Sequence, residues 1–264
     1  MAPITWTRDG SVAMLWMDDG ENRHNPAFVA QFLAAMDAIE ADPETRAVVI
    51  ASKDPKNWSQ GIDLAWIAAA MGERARHHEV RDFLRGLNRI FARCLTFPMP
   101  VIAAIGGHAF GDGALLACAC DFRFMRSDRG FFCFPEVDLG IPFLPGMLAV
   151  VRTAFPDWKL DHMMLTGHRA GGAELAEARV VVQRRAEALE AHVVHAGRHA
   201  EHAGRGIRQR AEYRQRGVRH VERSDSRVHA TGGRDGGRQG HHPAARGERQ
   251  PGRPNADTSA THDP

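Results

Sequence analysis

Apolar and polar residues alternate from position 4 to position 17 on either side of Asp9 and Gly10, the pattern of two strands joined by a tight hairpin turn. The period then changes. Behind Pro26, residues Phe28, Val29, Phe32, Leu33, Met36 and Ile39 recur at three- and four-residue intervals and stop before Asp42 and Pro43, which predicts an amphipathic helix. Residues 47–51 form a short unbroken apolar run, the mark of a strand buried on both faces. Val80, Phe83, Leu84, Leu87, Ile90, Phe91, Cys94 and Leu95 line one face of a longer helix, which Pro98 and Pro100 bring to an end. Residues 101–105 repeat the buried-strand pattern, and helices are expected over 114–119 and 147–155. Strands alternating with helices, with glycines at the strand ends, predict an α/β fold whose ligands sit at the carboxyl ends of the strands.

Composition changes this picture only when it is read locally. The 264 residues are 44% hydrophobic and carry a net charge of +2, ample for a packed core. Yet all thirteen Phe, five Trp, ten Met and three Lys lie within residues 1–180, which carry 18 basic and 22 acidic groups, net −4. Residues 181–264 hold one Tyr, one Ile and one Leu, with 16 basic and 10 acidic groups, net +6. Only the first part is expected to bury a core. Cys94, Cys118, Cys120 and Cys133 fall in apolar patterns with no zinc-like spacing, so buried thiols in a reducing compartment are expected and no metal site is assigned. The first residues lack a secretory pattern and no apolar run reaches the roughly 18 residues of a spanning helix. A cytoplasmic protein without a membrane span is expected.

Three segments carry candidate chemistry: Trp58-Ser-Gln-Gly-Ile-Asp-Leu64, Gly106-Gly-His-Ala-Phe-Gly-Asp-Gly113, and Phe132-Cys-Phe-Pro-Glu-Val-Asp-Leu-Gly140. The first two place glycine where a strand turns into a helix, so that free backbone N–H groups point at a developing negative charge. The third sets one carboxylate, Glu136, among apolar neighbours, where burial raises its proton affinity toward the working range of a general base. Two donors beside one base suit proton transfer alpha to a thioester carbonyl better than phosphate chemistry. Each segment also has a purely structural reading. Gly61 followed by Asp63 is an ordinary turn with a helix N-cap, the second segment is a glycine-rich connector, and Glu136 caps a turn or pairs with an arginine such as Arg123. No dinucleotide fingerprint or P-loop is present. His24, His77, His78, His108, His162 and His168 share no metal or catalytic spacing and are assigned no chemistry.

From about residue 4 to about residue 182, with the three segments in order, the chain resembles the crotonase superfamily of enoyl-CoA hydratases and isomerases. That resemblance implies a spiral of ββα repeats. It places the oxyanion donors on the N–H groups of Ile62 and Asp112. Gln60, Gly61, Asp63, Leu64, Gly111 and Leu115 fall in the stretches that line the substrate, and Arg23 falls in a loop against the coenzyme's phosphates, although a solvated arginine reads nearly as well. Of the family's two catalytic glutamate positions, one falls on Glu136 and the other on Leu115. The departure at Leu115 points to double-bond isomerisation from 3-enoyl-CoA to 2-enoyl-CoA, which needs one base, over hydration, which resembles a two-carboxylate task. A carboxylate at 112 also departs from the pattern, because facing the thioester oxygen it would oppose an enolate. Its side chain is therefore expected to point away; if instead it supplies the second carboxylate, the hydratase reading returns. Coenzyme A would be part of the substrate, with no separate cofactor, and a homotrimer or hexamer is the implied assembly.

The resemblance is read as ending near residue 182, which divides the chain into a core domain, 1–182, and an atypical Arg-, His- and Gly-rich segment, 183–264. Residues 185–204 keep helical spacing at Ala186, Leu189, Val193 and Val194. Beyond 204 neither stable structure nor a defined partner is expected. Loss of lysine as arginine multiplies favours a change of reading frame over a genuine basic tail that attracts a polyanion such as nucleic acid. An inactive product with a disrupted C-terminus is the third functional reading.

Overall fold

A computed structural model of the chain describes residues 3–184 and 189–200. Strands β1 (Ile4–Asp9) and β2 (Val12–Met17) form the expected hairpin. Asp9 pairs with Val12, so Gly10 and Ser11 make the turn, and Gly10 takes a φ of +62° that suits glycine. Helix α1 (Pro26–Ala41) begins with proline in its first turn, where a missing N–H costs nothing, and the Asn25 side chain caps it by accepting from the Phe28 N–H at 3.0 Å.

Three strand-strand-helix repeats follow. The first has β3 (Ala47–Ser52), β4 (Asn57–Ser59), α2 (Leu64–Met71) and the long α3 (His77–Leu95). The second has β5 (Val101–Ile105), β6 (His108–Phe110) and α4 (Asp112–Ala119). The third has β7 (Phe122–Arg126), β8 (Phe132–Cys133) and the short α5 (Glu136–Leu139). Within each repeat the first strand joins a six-stranded sheet ordered β1-β2-β3-β5-β7-β9, and the second joins a three-stranded sheet ordered β4-β6-β8. Among the described residues the named strands pair in parallel everywhere beyond the hairpin. This is the ββα repeat expected from the sequence. Helices α6 (Pro145–Arg152), α7 (Asp157–Thr166) and α8 (Gly172–Glu177) precede β9 (Val182–Arg184) and α9 (Leu189–Ala200).

Alternate residues of the large sheet enter two cores. Leu15, Met17, Val48, Ile50, Ala103 and Ile105 pack with Phe32, Met36, Leu87, Ile90 and Leu116 from the helices. Helices α1 and α3 cross closely, because a side chain at Gly86 would meet Val29 Cγ1 at 2.7 Å. Val12, Met14, Val49, Ile102, Ala104 and Phe124 line the opposite face, which Leu189 and Val193 of α9 cover.

That second core draws on residues from both sides of the boundary drawn at residue 182. Residue 182 falls at the start of β9, the sixth strand of the sheet. Burial of Leu189 and Val193 also overturns the expectation that only residues 1–180 bury a core. The helical spacing noted over 185–204 corresponds to α9, whereas the absence of structure expected beyond residue 204 and both explanations of the basic segment concern positions outside the described residues. Among the described residues no helix is long and apolar enough to cross a membrane. All four cysteines are buried and free.

Candidate active site

The small parallel sheet lays the three sequence segments side by side. Each of its strands is followed within three residues by one candidate group: Ile62 after β4, Asp112 after β6, Glu136 after β8. The turns between must be tight, and two glycines make them so. Gly61 has a φ of +76°, and a β-carbon there would lie 2.6 Å from the Phe110 carbonyl oxygen and 2.9 Å from the Asp112 nitrogen. Gly113 sits as closely on the other side, where a β-carbon would lie 2.7 Å from the Ser59 carbonyl oxygen. The first two segments therefore touch backbone to backbone, which no side chain at either position permits.

Hydrogen bonding leaves the two candidate donors free. The His24 N–H donates to the Gly61 carbonyl at 2.7 Å, and the Asp63 N–H donates to the His24 carbonyl at 2.8 Å. This is a parallel bridge to Ile62, a pattern in which the bridged residue's own N–H faces the other way. Asp112 is the first residue of α4, where a helix leaves its N–H groups without an intrahelical acceptor. No hydrogen bond among the described residues takes up either N–H. The dipole of the short α4 adds partial positive charge at the same point.

Glu136 starts α5 and is 6% exposed. Its Oε2 is buried with no hydrogen-bond partner among the described residues. A β-carbon on Gly111 would lie 3.7 Å from Oε1, so the absent side chain leaves room beside the carboxyl. Burial pushes the Glu136 pKa up from its ordinary 4.5 to about 7, with the nearby Asp112 charge adding to the rise and the residue's own backbone hydrogen bond opposing it. The pairing with Arg123 does not form: Arg123 donates instead to the carbonyls of Val180, at 2.9 Å, and Cys120, at 2.7 Å. A buried carboxyl with one oxygen unpartnered among the described residues and its proton affinity near neutrality suits a general base.

The Asp112 side chain is taken up by His24. Its Oδ2 lies 2.6 Å from Nδ1 of His24, and both side chains are almost wholly buried. The sequence assigned His24 no chemistry, and no spacing rule finds it, since its partner is 88 residues away. Asn22 anchors the loop that carries it, donating to Ser52 Oγ at 2.7 Å and to the Trp58 carbonyl at 3.1 Å.

The remaining predicted positions spread outward. Asp63 caps α2 by accepting from the Trp66 N–H at 3.0 Å, and Leu64, the first residue of that helix, is exposed. Half-buried Gln60 donates to Asn57 Oδ1 at 2.6 Å. Arg23 lies on the adjoining surface, paired with Glu21 at 2.7 Å. Leu115 is wholly buried in the main core, which puts an apolar side chain at the second glutamate position. Among the described residues no group of three acidic, histidine or cysteine side chains is arranged to hold a metal ion.

The chain is 31% identical over 157 residues to a peroxisomal enoyl-CoA delta isomerase 2 of Arabidopsis thaliana, covering 59% of this chain and 65% of that protein. It is 33% identical over 182 residues to a putative enoyl-CoA hydratase of Thermus thermophilus, covering 68% and 66%. The chain thus spans about two thirds of the length of these relatives. In fold it is similar to the crystal structure of a probable enoyl-CoA hydratase of Mycobacterium tuberculosis, with a TM-score of 0.76 at 24% identity over 88% of this chain and 96% of that one. The family model for enoyl-CoA hydratase/isomerase matches residues 7–226, extending past the point where the sequence alone ceased to show the resemblance. A match of that extent settles the kinship: this chain belongs to the enoyl-CoA hydratase/isomerase family.

Proposed function

We propose that this chain converts 3-enoyl-CoA to 2-enoyl-CoA, with Glu136 as the single base and the N–H groups of Ile62 and Asp112 as donors to the thioester oxygen. The observation that carries the proposal is one buried carboxylate, Glu136, with an oxygen that has no hydrogen-bond partner among the described residues. Leu115 belongs to the core, and the Asp112 carboxylate is engaged by His24. The isomerase name of the Arabidopsis relative supports the same choice.

The steps follow from that geometry. Ionised Glu136 removes a proton from C2 of the bound 3-enoyl thioester, and the electron pair moves through C1 onto the thioester oxygen, giving a dienolate. Two preorganised N–H donors stabilise the oxyanion more than they stabilise the ground-state carbonyl. Protonated Glu136 then returns the proton to C4, the C3–C4 double bond shifts to C2–C3, and the carbonyl re-forms. No atom is gained or lost, so no cofactor is required. Exposed Val137, Leu139, Ile141 and Leu144 beside the base offer apolar surface to an acyl chain or to a neighbouring copy in the trimeric assembly that belongs to this reading.

Hydration of 2-enoyl-CoA is the second reading, favoured by one observation: Asp112 lies near enough to Glu136 for its charge to be felt there. Parallel assays of one preparation of the full chain separate the two. Isomerisation of a 3-enoyl-CoA with no water added to a 2-enoyl-CoA is the expected result; hydration at a comparable rate would overturn the single-base reading.

A further inference from the structure

His24 is held by side chains at both ring nitrogens. Nδ1 lies 2.6 Å from Asp112 Oδ2, and Nε2 lies 3.0 Å from Ser59 Oγ. The ring is 1% exposed and stacks on Phe28 with centroids 4.0 Å apart. Ser59 is itself buried, and its hydroxyl has two further contacts: it donates to the Asn22 carbonyl at 2.9 Å and accepts from the Gly61 N–H at 3.1 Å. This Asp-His-Ser order looks like a nucleophilic triad, yet a hydroxyl with three partners and no exposure does not meet a substrate.

Counting hydrogens assigns the ring. A hydroxyl has one hydrogen and accepts from others. The Ser59 hydrogen goes to the Asn22 carbonyl, which has no other donor among the described residues and belongs to a residue that is 1% exposed. The contact with Nε2 is therefore an N–H donating to Ser59 Oγ. Turning the hydroxyl toward Nε2 instead would leave the Asn22 carbonyl unbonded, which buried carbonyls avoid. A second hydrogen lies in the 2.6 Å contact between Nδ1 and Asp112. An imidazole nitrogen is the more basic partner of a carboxylate, so this hydrogen rests on Nδ1 and the His24–Asp112 pair has no net charge.

We propose that His24 is a positioning residue of the oxyanion hole: with hydrogen at both ring nitrogens it neutralises the Asp112 carboxylate and holds it away from the thioester, so that position 112 presents its backbone N–H without a negative charge. The purpose assigned to the pair rests on the isomerase reading above; the protonation of the ring does not. The network also ties the two donors together. Ser59 binds the Gly61 N–H, one residue before Ile62, while Asp112 is itself the second donor, so His24 joins the two halves of the hole through side chains. Removing the ring leaves a buried carboxylate unpaired beside the position where the dienolate forms.

Nitrogen-15 spectra of the full chain at neutral pH, with His24→Gln as the assignment control, read the ring directly. Two slowly exchanging N–H signals from His24 are expected, and one would overturn the assignment. Kinetics read its purpose. His24→Gln should lower kcat for 3-enoyl-CoA about 100-fold, the range of losing one oxyanion donor, with KM changed less than threefold. The double variant His24→Gln/Asp112→Asn should recover to within about tenfold of the parent because the charge has gone. A double variant no faster than His24→Gln would show that the ring acts only as packing and overturn the proposal. If the parent chain shows both ring signals but no isomerisation, the isomerase reading fails and takes the catalytic purpose with it, while the neutral pair stands.

Discussion

The six-stranded and three-stranded sheets use the same parallel pairing to different ends. In the larger sheet, successive residues such as Val48, Val49 and Ile50 feed two cores, one beneath α1 and α3 and the other beneath α9, and these positions carry no polar chemistry. The smaller has strands of two or three residues, too short to hold themselves together, and they are kept in place by the repeats that contain them. What the small sheet contributes is the position of its carboxyl ends, where Ile62, Asp112 and Glu136 follow in register. Apolar burial in one sheet thus supports a buried carboxyl with an unpartnered oxygen in the other. Stability and chemistry are separated by sheet, and substitutions distinguish them.

The largest effect is expected at the base. Glu136→Gln keeps the volume and removes proton transfer, so kcat for isomerisation should fall by roughly 10³ to 10⁴, with the circular dichroism spectrum unchanged. Next comes the turn that presents a donor. In Gly61→Ala the new methyl meets the Phe110 carbonyl in a backbone conformation that alanine resists, displacing both donors. A loss of about 10² to 10³ in kcat is expected, together with a lowered urea midpoint. In the large sheet the outcome should reverse. Val193→Asp buries a carboxylate against β3 and β5 and should cost about 3 kcal/mol of stability in urea titration, while kcat well below the melting temperature stays within a few-fold of the parent.

The smallest effect is one of pH and belongs to both sheets. Because the base must be ionised, kcat/KM should rise with pH along a limb centred at about 7. Stability moves in the opposite sense. With a folded-state pKa raised from 4.5 to about 7, Glu136 costs nothing below 4.5, where it is protonated in both states. Between those values the unfolded chain ionises while the folded one resists, and the penalty grows to on the order of 3 kcal/mol above pH 7. Glu136→Gln lacks this penalty, so its stability relative to the parent should increase from pH 4.5 to 7 and then level off in thermal melts. A flat difference across that range would contradict the burial of an ionised base.

What was legible in the sequence follows the length of each pattern. The hairpin, α1, α3, β3 and β5 each span enough residues to show a period, and they form where expected. Strands β4, β6 and β8 have no period to show, so their turns were found through glycine and the base through its apolar neighbours. Helix α2, with the sequence Leu-Ala-Trp-Ile-Ala-Ala-Ala-Met, is apolar all round and displays no face. Helix α9 was undervalued because its buried Leu189 and Val193 stand within a stretch averaged as basic and low in apolar residues, although two well-placed side chains suffice to cover a preformed sheet face. His24 had no signal at all. Its role depends on a partner brought beside it only by the pairing of residues 22–24 with the first glycine turn.

The central claim, one base moving one proton between two carbons, is tested most directly with a 3-enoyl-CoA carrying deuterium at C2. Turned over in ordinary water, the parent chain should deliver part of that deuterium to C4 of the 2-enoyl product, since the buried Glu136 carboxyl returns the hydrogen it removed. Complete replacement by solvent hydrogen at C4, with turnover that persists in Glu136→Gln, would contradict the account.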